Sequence, residues 1–213
     1  MTETPFIIPA GETEAEIVIE KSRFIATLAP AFRVEDARAF VDRVKSRYPD
    51  ASHHVPAFVI GHGASTIEHS SDAGEPSGTA GRPVLTVLKG SGLGDAVLVV
   101  TRYFGGIKLG TGGLVRAYTQ AAKEVIEQAP RAQKMPTHTA MAAFPYTYFE
   151  RIKQLVEEQH GLLLDQDFGS DVTLTMRFPS ERFADFQAAL IELTRGAIQA
   201  EVIETQVDTI VPL

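Results

Sequence analysis

The spacing of apolar residues divides the chain into alternating strand and helix segments. Ile17–Leu28 reads as strand interrupted at Lys21-Ser22-Arg23, and Val34–Tyr48 repeats apolar residues at helical spacing (Val34, Ala37, Val41, Val44) until Pro49 stops it. Val55–Ile60 reads as a strand. A long polar stretch without periodicity follows from Gly61 to Gly81, and then a short helix, Arg82–Lys89, opened by Pro83. Asp95–Thr101 (DAVLVVT) is apolar at every core position, as a central strand covered on both faces requires. Gly112–Gln128 reads as a second long helix, with Leu114, Val115, Tyr118, Ala122, Val125 and Ile126 on its apolar side.

The prolines and polar residues of Gln128–Pro136 predict a break, giving an N-terminal domain over 1–134 and a C-terminal domain over 137–213. The second domain reads β-α-β-β-α-β. Thr139–Phe144 is a strand, and Thr147–Glu150 fits a capping box before a helix carrying Tyr148, Phe149, Ile152, Leu155 and Val156. Gly161–Phe168 and Asp171–Phe178 pair through a Gly169-Ser170 turn. Ser180 is expected to cap a helix with Phe183, Phe186, Leu190 and Leu193 that ends at Gly196, and Ile198–Val207 closes the domain. That order predicts a ferredoxin-like sandwich, and the whole chain is of the α+β class.

Composition narrows the chemistry. The chain has no cysteine, which excludes disulfides, thiolate catalysis and cysteine zinc sites. Without an apolar run long enough to span a bilayer or a basic-then-apolar leader, the expected location is the cytoplasm. The net charge is −7, yet residues 1–136 hold 15 basic and 15 acidic side chains, whereas 137–213 hold 5 and 12. An anion-binding surface must therefore be a local patch on the first domain.

The segment best suited to such a patch is Val99–Tyr118, where a buried strand ends at Arg102 and a loop with Gly105, Gly106, Gly110, Gly112 and Gly113 feeds a helix. A strand-to-helix loop exposes backbone N–H groups and the positive end of the helix dipole, and glycine lets oxygen atoms approach closely. Arg102, Lys108 and Arg116 supply charge, and Tyr103 and Phe104 can stack on bases. The structural alternative is that the glycines serve tight turns, the two aromatics are core, and Arg102 pairs internally with Glu75 or Asp72. The segment has neither the GxxxxGK[ST] nor the GxGxxG spacing, so it is no nucleotide-binding fingerprint. A second wall of the cleft is expected from His53 and the 72–82 loop, with Asp72, Glu75, Arg82, and Thr79 capping the next helix; the alternative is a solvated Ω-loop.

His53, His54, His62 and His69 lie close in sequence, but adjacent strand residues face opposite sides and no HExxH helix is present, so no metal or other cofactor is assigned. Ser70, Ser71 and Ser77 lack a nucleophile elbow, and no catalytic residue is assigned.

Lys21–Ala26, Ala51–His53, Ser71–Pro83 and Thr101–Gly113, with its RYFGG-x-x-LG core, resemble the IMPACT/YigZ family over about residues 15–130. His54 and Pro56 depart slightly from the family pattern. The remainder is similar to the C-terminal domain of bacterial members, itself like the last domain of elongation factor G. The resemblance implies a first domain folded as the second domain of a small-subunit ribosomal protein and the fourth domain of elongation factor G, a βαβ arrangement. It also implies translation regulation, since eukaryotic members compete for an activator of an amino-acid-starvation kinase. The expected function is thus a translation-associated factor binding RNA or the ribosome. The alternatives are a regulator that binds only protein, with acidic Glu150, Glu157, Glu158, Asp165 and Asp167 facing a basic partner, and a hydrolase of a phosphorylated small molecule or peptide.

Overall fold

The computed structural model describes residues 6–62 and 65–213. It forms two compact units, Met1–Gln133 with Ile210–Leu213, and Lys134–Thr209. Both are α+β, and both are built on antiparallel sheets.

In the first unit the sheet runs β2 (Thr13–Ile19), β3 (Ser22–Pro30), β6 (Ala96–Tyr103), β4 (His53–Ile60), β5 (Ile67–Ser70), antiparallel at every step. β6 lies at its centre. Alternation along it sends Ala96, Leu98 and Val100 to one core and Val97 and Val99 to the other. This is why its sequence is apolar without a break. Helix α1 (Val34–Arg47) covers one face with Ala37, Phe40, Val41 and Val44. Helices α2 (Gly81–Gly90) and α3 (Gly110–Gln128) cover the other, where Val84, Leu88, Leu114, Ala117, Tyr118 and Val125 meet the sheet. The Lys21-Ser22-Arg23 interruption is a hairpin. Glu20 and Lys21 take φ of 47° and 64° between the paired Ile19 and Ser22, a two-residue turn whose twist suits the strands it joins.

Across the second unit the strands run β10 (Glu201–Pro212), β7 (Arg131–Phe144), β9 (Val172–Pro179), β8 (Leu162–Phe168), the first three residues of β7 and the last three of β10 belonging to the first unit, with α4 (Phe149–Glu158) and α5 (Ser180–Thr194) in the connections. With β7 as first strand the order is fourth, first, third, second, the ferredoxin-like arrangement. Val172, Leu174, Met176 and Phe178 are buried along β9 and meet Ile152, Leu155, Phe186 and Leu190 from the helices.

Several local expectations are corrected. The residues around the domain break expected near 131–136 are strand and not linker: β7 begins at Arg131, and the two units divide within it, between Gln133 and Lys134. Residues 61–81 are not all loop, since Ile67–Ser70 pairs with β4 through Ala57↔Ser70 and Phe58↔His69. Neither Thr147 nor Ser180 caps its helix. A 3-10 turn at Tyr146–Tyr148 leads into α4, and the buried Ser180 hydroxyl has no partner among the described residues.

Candidate anion-binding site

The end of β6 and the start of α3 separate two environments, one dry and one wet. On the dry side Arg102, with its side chain 6% exposed, donates from Nη1 to Glu75 Oε1 at 2.7 Å, and Nη2 reaches Ser22 Oγ at 3.4 Å. The same Glu75 oxygen accepts the Tyr118 hydroxyl at 2.8 Å, and His53 Nε2 lies 3.9 Å from it. Burial, then the charge of Glu75 and its hydrogen bond, push the Tyr118 phenol far above its ordinary range. The guanidinium lies 5.4 Å from the Phe24 ring and 5.5 Å from the Phe104 ring, and its buried Nε has no hydrogen-bond partner among the described residues. Arg102 is therefore an internal cation, and its expected role as a phosphate contact is corrected. A charge removed from water in this way persists only if paired, and Glu75 is its pair.

Glu75 can reach inward because Asp72 folds its loop. Asp72 Oδ1 accepts the N–H groups of Ala80 (3.1 Å) and Gly81 (2.8 Å), and Oδ2 accepts that of Gly78 (2.8 Å). Burial acts to raise this carboxyl, but the three backbone donors outweigh it and hold it below its ordinary value. The cap of α2 is thus Asp72, and the expectation that Thr79 caps it is corrected. Thr79 Oγ1 donates to the Pro76 carbonyl at 2.6 Å. His53 places Nδ1 3.0 Å from the Ala73 carbonyl, to which it donates, and Arg82 stays exposed on α2.

On the wet side the first amides of the glycine loop are already occupied. Phe104 N–H donates to Ser52 Oγ at 3.1 Å and Gly105 N–H to Ser22 Oγ at 3.2 Å. A Cβ on Gly105 would collide with the Lys21 carbonyl, so this glycine serves close packing against the hairpin rather than ligand approach. The Tyr103 hydroxyl donates to Asp50 at 2.8 Å, and Arg23 lies over its ring at 5.2 Å, so one face of the ring is already taken.

From Gly106 onward the character changes. Phe104 is 49% exposed and Ile107 38%, and Lys108, Gly110, Gly112 and Arg116 are also exposed. Gly110, at φ 68°, turns the chain into α3 in a conformation that an L side chain would strain. Among the described residues no side chain caps the N-terminus of α3, and its first turn holds no acid. Lys108, Gly113 and Arg116 line a cleft of about 470 Å³ together with Ile107, Gln120 and one acid, Glu20. A second cavity of about 530 Å³ lies beside α1 and includes His54, Phe58 and His69, but its Lys45 is already paired with Asp42 at 3.3 Å.

The histidines do not converge. His54 Nε2 bonds the Tyr48 carbonyl (2.9 Å), His62 lies beside Asp95 (3.8 Å), and His69 stacks on Phe58 (5.1 Å). Among the described residues, no group of three or more His, Asp or Glu is placed to hold a metal. Sequence reasoning missed Ser22 and Ser52, whose hydroxyls anchor the loop. The strand registers that bring them there, Phe24↔Arg102 and His53↔Arg102, have no local signature.

The Impact N-terminal domain family matches residues 20–126, which hold both the buried pair and the glycine loop. Over 200 residues the chain is 39% identical to IMPACT family member YigZ of Escherichia coli, covering 93% of this chain and 98% of that protein. The chain belongs to the IMPACT family. Another member, YvyE of Bacillus subtilis, is 38% identical over 183 residues, 86% of this chain and 84% of that one. A crystal structure described as that of a hypothetical protein is 40% identical, covers 93% of this chain and 97% of its own, and superposes with a TM-score of 0.61. Residues 143–197 match a domain of unknown function, DUF1949. No helix among the described residues is long and apolar enough to cross a membrane.

Proposed function

We propose that this IMPACT family protein is a translation-associated regulatory factor that binds RNA, free or in the ribosome, through the cleft at the start of α3. The observation that carries the reading is the pairing of an uncapped, acid-free helix N-terminus with Lys108 and Arg116 in one cleft. Phosphate oxygens are the ligands such a constellation favours, because helix amides donate to them and the two cations add charge. Phe104, half exposed at the rim, offers a ring for an unstacked base. The role assigned to Arg102 is indirect: paired with Glu75, it holds the strand end from which the loop departs.

The test is salt-dependent binding of a fluorescein-labelled oligouridylate to the full-length protein and to the K108A/R116A variant. Removing two phosphate contacts should lower affinity and reduce the slope of log K against log salt by about 1.4. An unchanged slope with unchanged affinity would remove the reading.

A further inference from the structure

The second unit carries a surface of different chemistry. Strand β8 has β9 as its partner and otherwise lies at the sheet edge, exposed along almost its whole length. Leu162 is 55% exposed, Leu164 40% and Phe168 51%. At its far end three rings pack together. Tyr146 stacks on Phe168 at 6.2 Å, Phe149 meets Phe168 edge-on at 5.4 Å, and the Tyr146 hydroxyl donates to the Gly169 carbonyl at 2.9 Å. The group is anchored, yet two of its rings are half open to solvent.

Asp165 and Asp167 on this edge and Asp171 just after it are exposed, and among the described residues none of them stands in an ion pair. The first unit is unlike this. There Glu12 pairs with Arg43 and Arg47, Glu16 with Arg23, and Glu68 with Lys89.

We infer that the β8 edge is the docking site for an extended, lysine- or arginine-bearing segment of another protein. The segment adds as a strand, its cations meeting Asp165 and Asp167 on one face of the sheet and its alternate apolar side chains meeting the Tyr146–Phe168 rings on the other. A free edge presents unpaired backbone groups that an extended chain can satisfy, the carboxylates on one face attract ammonium and guanidinium ions, and the half-exposed rings on the other bury apolar side chains. A second copy of this chain is disfavoured, because like edges would bring aspartates against aspartates. RNA is disfavoured by the same carboxylates. The surface is separate in sequence from the α3 cleft and does not depend on the RNA reading.

The test uses the full chain and a fluorescein-labelled heptapeptide of alternating lysine and valine, followed by anisotropy. D165N/D167N and F168A should each weaken binding roughly tenfold. E157Q/E181Q, which removes the same charge elsewhere on the unit, should leave binding within about twofold, as distant exposed charges are screened. A peptide N-methylated at alternate residues should not bind, and K108A/R116A should bind the parent peptide unchanged, which separates this inference from the RNA reading. The inference is overturned if the two charge-removing doubles weaken binding equally, if the N-methylated peptide binds as tightly as the parent, if neither edge variant has an effect, or if oligouridylate competes for the same edge.

Discussion

Replacing Arg102 by methionine is the most demanding test of how the end of β6 is held. Methionine keeps the volume and the apolar contacts with Phe24 and Phe104, and deletes the charge. Glu75, whose side chain is 3% exposed, then keeps the Tyr118 hydroxyl as its close donor, with His53 at 3.9 Å. Breaking a buried pair from one side costs about 3–5 kcal/mol, because the remaining charge stays desolvated. That is a large share of the roughly 5–15 kcal/mol that holds a typical domain folded. The double change R102M/E75Q removes both charges and keeps an amide oxygen to accept the Tyr118 hydroxyl, so it should recover most of the loss. The assay is urea denaturation followed by circular dichroism, with hydrogen exchange of β6 peptides locating the loss in the first unit. If R102M cost under about 1 kcal/mol, or if the double variant were less stable than the single, the internal ion pair would not be what secures this strand end. Oligouridylate binding by folded R102M should keep its salt slope, because the side chain faces inward.

Two further outcomes follow from the same loop and pair. D72N should cost about 1–2 kcal/mol, since an amide cannot accept all three N–H groups that the carboxylate accepts at the start of α2. Because the native Asp72 value is depressed, its contribution is complete above the ordinary value of about 3.9 and lost as pH falls through the native one. Acid titration of urea midpoints should therefore be shallower in the variant. Y118F should cost about 1–3 kcal/mol at neutral pH by removing a donor from buried Glu75. The raised phenol reverses the pH sense: its contribution is complete below about 10 and is lost above that, as the unfolded chain ionises first. Y118F should accordingly lose less stability than the parent protein between neutral and strongly alkaline pH.

Patterning alone was enough for β6, because a strand covered on both faces has no polar position to hide it, and for α1 and α3, whose apolar stripes repeat at helical spacing. It was also enough for the ferredoxin-like order of the second unit, where period-two β9 and the Gly169-Ser170 turn give each boundary a local cause. β5 was not legible: three exposed residues and a half-buried serine carry no alternation that distinguishes them from loop, and Ile67–Ser70 is a strand only because β4 is there to pair with it. The caps were misread for a related reason. At α2 the better acceptor is Asp72, eight residues upstream of Ala80, and not Thr79; at α5 the helix starts on Ser180 itself, with Pro179 at the cap position, so the hydroxyl stands one residue too late to cap.

For the candidate site, the chain by itself determined that glycines and cations crowd a strand-to-helix junction. Which of those cations faces solvent was decided by the sheet. Register places Arg102 opposite Phe24 and His53, on the face that α2 and α3 cover, so its charge turns inward to Glu75. Lys108 and Arg116 lie beyond the strand end and remain in water. Side-chain chemistry is written residue by residue, but burial belongs to pairs of distant segments, and a cation's role follows from its burial.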